Sequence, residues 1–205
     1  MSEKNQAVLL LLAHPSQHRS EVNLPLFNLA KTISGVTPVD LYGEYPEFDI
    51  DIEREQQRLL SHDVVIFQFP LYWYSTPAIL KEWQDLVLEY GFAYGADGNA
   101  LKGKTFFCAI TAGGKEEAYQ AEGYNHFTLR QLLAPLEQTA SLTGMHYLPP
   151  FALFGARTAI EDDLMSQHLS DWQSLLTALV AGKVNRHVAA KQAKLNGHLD
   201  QIIRG

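Results

Sequence analysis

The chain is predicted to be an α/β domain: a five-stranded parallel sheet in the order 2-1-3-4-5, doubly wound, with helices on both faces. Three observations predict it. Short apolar runs rich in Val, Ile, Leu and Phe recur along the chain and read as strands buried on both faces. Segments with apolar residues at helical spacing separate them. Strands that alternate with helices need crossover connections, and right-handed crossovers favour that order for five strands. The 205 residues, 46% hydrophobic and 19% charged, suit one folded domain with a sizeable core.

Ala7 to Ala13 is the first strand. It is too short to span a bilayer, and with no basic segment before it or cleavage pattern after it no signal peptide is expected. A helix follows over about Leu24 to Ile33, closed by Gly35. Val39 to Tyr42 is a short second strand, and Ile52 to Leu60 a polar helix for which Asp49 or Asp51 is a cap rather than an acid pair. Val64 to Phe67 opens the third strand. The helix after it starts at Pro77, with Ser75 or Thr76 able to cap it, and runs to about Glu89. Thr105 to Ile110 is the fourth strand, and its Cys108 reads as a small buried hydrophobe; a single cysteine excludes an internal disulfide. A helix over about Thr128 to Leu142, a fifth strand within Tyr147 to Phe154, and a helix from about Ile160 to Val180 complete a domain of residues 1–182.

Residues 183–205 read as a basic helical tail, with Lys183, Arg186, Lys191, Lys194 and Arg204 against Asp200. Apolar Val184, Val188, Leu195, Leu199 and Ile202 fall near one face of it. Such a tail either packs on the body or addresses an acidic or membrane surface, in which case its deletion would leave the chemistry intact. The net charge of −7 argues against nucleic acid as a partner.

Function concentrates at the carboxyl ends of strands one, three and four, which are neighbours in that order, because ligands of open α/β sheets bind at this edge. After strand one, Ser16, Ser20 and Asn23 lie near a helix start, where hydroxyls and free N–H groups make an anion site for a single phosphate. No GxGxxG or GxxxxGK[ST] pattern accompanies them. After strand three, Tyr72, Trp73 and Tyr74 offer flat apolar faces with polar tips, suited to a flat ring. After strand four, Gly113 and Gly114 let the backbone approach a ligand. His14 and His18 are four apart, but Pro15 spoils helical metal-ligand spacing, and no metal site is expected.

These residues also carry a resemblance. Ala13-His14-Pro15 with Ser20 and Asn23, Phe69 through Tyr74 with Pro77 through Trp83, Gly91 through Gly95, and Thr111 through Gly114 resemble the flavodoxin-like NAD(P)H:quinone oxidoreductases, the DT-diaphorase group. Within it the chain is most similar to the ancillary oxidoreductase subunits of the glutathione-regulated potassium efflux system, through Asp40 to Tyr42, Tyr45 to Asp51 and Leu148 to Pro150. The resemblance implies an FMN cofactor rather than FAD, NADH or NADPH as co-substrate, and a quinone as acceptor, served in turn by a ping-pong mechanism. His14 and Ser20, Glu21, Val22 and Asn23 would hold the flavin phosphate and ribityl chain; Leu71, Tyr72, Trp73 and Tyr74 would pack along the ring; Thr111, Ala112, Gly113 and Gly114 would meet its polar edge. Tyr119 falls on the family's catalytic tyrosine, and Asn125, with His126 one place late, on its accompanying histidine. The implied assembly is a homodimer in the cytoplasm, with an alternative role as a regulatory subunit docked on the inner face of the membrane against an antiporter.

Overall fold

In the computed structural model, which describes residues 5–204, the elements run β1 (Val8–Leu12), α1 (Asn23–Ala30), β2 (Val36–Asp40), α2 (Leu41–Glu44), α3 (Ile52–Ser61), β3 (Val64–Pro70), α4 (Ala78–Val87) and β4 (Thr105–Thr111), then α5 (Leu129–Leu132), α6 (Ala134–Leu142), β5 (His146–Tyr147), β6 (Phe151–Leu153), α7 (Met165–Val180), α8 (Arg186–Ala189) and α9 (Leu199–Ile202). The sheet is parallel in the order β2-β1-β3-β4-β5, as predicted, with β6 also pairing with β4.

Each central strand is buried at every position and apolar at nearly all, and the pleat sorts its side chains between two cores. Leu9, Leu11, Val65, Phe67, Phe106 and Cys108 face one core with Trp83 of α4 and Leu136 of α6. Val8, Leu10, Val64, Ile66 and Phe107 face the other, with Leu26 and Phe27 of α1 and Trp172 and Leu175 of α7. Cys108 is fully buried, which pushes its thiol far above its ordinary pKa and keeps it inert. Glu55 on α3, also fully buried, accepts from Tyr45 Oη at 2.6 Å and Trp83 Nε1 at 2.9 Å and pairs with Arg58, fastening α3 to α4.

Several boundaries differ from the sequence reading. The second strand starts earlier, and its expected end, Leu41-Tyr42, is helical. Asp51 caps α3 by accepting from Arg54 N–H at 3.0 Å, but α4 starts after Pro77 with no side-chain cap from Ser75 or Thr76. The single helix expected over 128–142 divides at Leu133, because Pro135 cannot continue the hydrogen-bond ladder of α5. Pro149 and Pro150 likewise divide the fifth strand: β5 pairs with the start of β4 and β6 with its end.

The tail is not one helix. It is two four-residue helices closed by an antiparallel bridge between Val184 and Ile203. Ala189, Leu195 and Ile202 are fully buried in the α1–α7 core. Asn196 lies along the free edge of β6, where its amide donates to Ala152 O at 2.7 Å and accepts from Ala152 N–H at 3.0 Å, standing in for a neighbouring strand. No helix among the described residues is long and apolar enough to cross a membrane.

Candidate functional site

Three loops leave the sheet side by side. Ala13 N–H donates to Gln68 O at 2.9 Å and Leu71 N–H to Thr111 O at 2.8 Å, so the backbone ladder continues past the strand ends and fixes the loops' spacing. Between them lies a cleft of about 960 Å³. Its lining takes in His14, Ser20, Glu21, Val22 and Asn23 from the first loop, Leu71, Tyr72, Trp73 and Tyr74 from the second, and Thr111, Gly113, Gly114 and Tyr119 from the third. Ala112, Asn125 and His126 do not line it. Ala112 is buried and spends both backbone groups on the loop after β6, donating to Leu153 O at 2.8 Å and accepting from Ala156 N–H at 2.9 Å. Asn125 accepts from Tyr74 Oη at 3.0 Å, and His126 is exposed.

At the first loop, α1 begins without a side-chain cap at its N-cap residue, Val22; Ser20 Oγ accepts from the Asn23 N–H at 2.9 Å and keeps its own hydroxyl proton to donate. His14 is buried, which lowers its pKa, and Nδ1 accepts from Ser16 N–H at 3.1 Å, so the ring is neutral. Beneath the cleft Gln68, wholly buried on β3, donates to Asn23 O at 2.8 Å, while Asn23 Nδ2 donates to Thr111 Oγ1 at 2.8 Å. This chain of bonds ties the first loop to the third. Gln68 Oε1 has no partner among the described residues.

The second loop turns at Trp73 (φ 50°) and Tyr74 (φ 62°), closed by Ser75 N–H donating to Tyr72 O at 3.1 Å. Two successive left-handed residues match the twist of a tight hairpin, but for bulky aromatics each costs roughly 1–3 kcal/mol. Trp73 is 93% exposed. In the third loop Tyr119 is 9% exposed; burial raises its phenol pKa, the nearby Tyr74 adds to the rise, and a hydrogen bond from the Gly114 backbone opposes it. The phenol therefore stays protonated and can donate.

The cleft also takes in Ser16, which the sequence placed in the anion site, and three residues that the sequence did not point to: Arg19, Ala156 and Arg157. Gly155 N–H donates to Gly114 O at 2.8 Å, and with the Ala112–Ala156 bond this seats Arg157 beside Gly113; a Cβ on Gly113 would lie 3.3 Å from Arg157 Nε. Neither Arg19 nor Arg157 forms an ion pair among the described residues. A basic residue in a polar loop after the last strand carries no local signal, because only the topology returns it to the cleft.

The arrangement offers a helix start, hydroxyls and Arg19 at the first loop, a flat aromatic wall at the second, and Arg157 with a buried phenol at the third. Comparison with known proteins agrees with this geometry. A family described as having a flavodoxin-like fold matches residues 6–176. The glutathione-regulated potassium-efflux system ancillary protein KefG of Cronobacter sakazakii is 46% identical over 166 residues, covering 81% of this chain and 90% of that protein. A solved general stress protein 14 from Treponema denticola, in complex with FMN, is 34% identical, covers 84% of this chain and 99% of its own, and superposes with a TM-score of 0.79. A solved NADPH-quinone reductase from P. pentosaceus is 36% identical, with coverages of 83% and 98% and a TM-score of 0.75. The chain belongs to the family of the flavodoxin-like fold.

Proposed function

We propose that the chain is an FMN-dependent NAD(P)H:quinone oxidoreductase that works by a ping-pong mechanism. One observation carries the reading: a single cleft joins an anion-binding helix start, an aromatic wall and a protonated phenol on three adjacent strand ends. The donor set fits FMN. The Ser16 and Ser20 hydroxyls and the positive dipole end of α1, backed by Arg19, suit a phosphate dianion. Gly113 leaves room where a Cβ would press on Arg157. FMN, when bound, would accept the two electrons of a reduced nicotinamide and deliver them to a quinone.

The protein's part is to position and to stabilise. Leu71 and the rings of Tyr72 and Tyr74 hold flat molecules in register, which is what hydride transfer needs. Tyr119 donates its phenol proton toward the quinone oxygen as charge develops there. Asn125 and His126, outside the cleft, are not assigned proton transfer. A homodimer is part of the proposal. An apolar groove of about 470 Å³ between α4 and α6, lined by Leu132, Leu133, Leu136 and Leu142, adjoins the aromatic loop through Ser75 and Thr76, and a second copy of the chain is its proposed occupant. Sedimentation at micromolar concentration should give twice the chain mass, and a monomer would remove this part.

The test of the activity is anaerobic stopped flow on the flavin-loaded protein. Mixing with NADH or NADPH should bleach the flavin, and a second mix with a quinone should restore it with the oxidised nucleotide already released. Failure of the second step with every quinone of a panel would favour the other reading, a regulatory subunit docked on a potassium-efflux antiporter at the inner membrane face. The likeness to KefG supports that reading.

A further inference from the structure

Asn125 sits where proton transfer was expected, and its geometry gives it different work. Its Oδ1 accepts from the Tyr74 hydroxyl at 3.0 Å, the one side-chain hydrogen bond recorded for the aromatic loop among the described residues. Its own N–H donates to Ala118 O at 3.0 Å, next to Tyr119. Both ends of the Tyr74–Asn125 bond lie in strained backbone: Trp73 and Tyr74 on one side, and His126 (φ 58°) on the other. Such conformations persist where surrounding contacts over-determine them. Tyr74 and Tyr119 both line the cleft, from loops on different strands. We propose that Asn125 is a positioning residue: by holding the Tyr74 hydroxyl it clamps the aromatic loop to the Tyr119 segment and fixes the spacing of the two tyrosines at the acceptor end of the cleft.

The amide suits this task. It supplies a neutral acceptor for a phenol proton at any pH, whereas a histidine would change its charge near neutrality. Because Tyr74 spends its proton on Asn125, Tyr119 is left as the phenol that serves the acceptor. The kinetic consequence rests on the quinone-reductase reading above; the clamp does not.

The test uses the full chain and two readouts. Trp83 and Trp172 are fully buried and Trp73 is 93% exposed, so the acrylamide-quenchable fluorescence reports the aromatic loop. Asn125→Leu and Tyr74→Phe remove the same bond from opposite ends. Each should enlarge the fast component of the quenchable anisotropy decay and raise the quinone KM by about two- to tenfold, the worth of one neutral hydrogen bond, with kcat changed less. The double variant should be no worse than either single one. Asn125→Asp, which keeps an acceptor oxygen, should restore the parental anisotropy. Parental anisotropy in both single variants, additive effects in the double variant, or no restoration by Asp would overturn the clamp. Should Asn125→Leu fail to fold, Tyr74→Phe alone decides between the two. A parent without quinone turnover would sink the functional reading, while the anisotropy still decides the clamp.

Discussion

In the proposed reaction, turnover hinges on Tyr119. Burial holds its phenol protonated beside Gly114, and the ring packs at a tilt against Phe154 with centroids 5.3 Å apart, so Phe in its place keeps the packing and removes only the hydroxyl. Loss of one such donor costs on the order of tenfold to a thousandfold in rate. Tyr119→Phe is therefore expected to slow flavin reoxidation by quinone by at least about tenfold, leaving flavin content and its reduction by nicotinamide near the parent. Equal slowing of both half-reactions in stopped flow would make Tyr119 a nucleotide-positioning group instead. Tyr119 was legible in the sequence through its resemblance to a family position. Asn125 was misleading for the same reason: alignment carries a position, but not where the side chain turns. Its amide lies outside the cleft and meets Tyr74, which no local pattern encodes.

Among elements, α7 makes the clearest stability prediction. His168 is buried on it, stacked on Phe151 at 4.5 Å, and burial lowers its pKa from 6.5 to about 4. The unfolded chain thus binds a proton between those values that the folded chain refuses. Stability should be full above about pH 6.5 and fall as pH drops toward 4, by up to about 3 kcal/mol at ~1.4 kcal/mol per pH unit. His168→Phe should flatten this limb in urea melts at pH 7.5 and 5; an unchanged difference between the two pH values would show that other groups set it. The principal strands and helices were legible because their periods are local. Pro149 and Pro150 were visible near the fifth strand, but that the strand resumes at Phe151 depends on β4 offering a partner there. The tail failed as a single helix for a related reason: its apolar residues do recur near helical spacing, yet the surface they cover, formed by α7 and β6, favoured two short turns and an edge-capping Asn196.

At the scale of the whole molecule, the basic tail is part of the fold. Its apolar residues cover the α1–α7 core, and Lys194 is paired with Glu116, so deleting residues 183–205 would expose a core rather than detach an address. Burial of Leu195 and Ile202 alone is worth about 1.5–3 kcal/mol each. Asn196→Ala, which opens the β6 edge, should lower unfolding stability by about 1–3 kcal/mol; no loss in chemical denaturation would show that the edge does not need its cap. The sheet order and the three-loop crevice followed from strand alternation alone, whereas Arg157 at its rim and the Asn196 cover on β6 lie more than 140 positions beyond the first strand in sequence and depended on the completed topology. In the proposed function this crevice holds FMN, with Gly113 at the ring edge. This is tested most directly by titrating the flavin-free protein with FMN and following flavin fluorescence, for the parent and for Gly113→Val. The parent should saturate at one FMN per chain, and a still-folded Gly113→Val should show a Kd raised by at least about tenfold, some 1.4 kcal/mol. A parent that does not bind FMN, or a variant that binds it as tightly as the parent, would contradict the proposal.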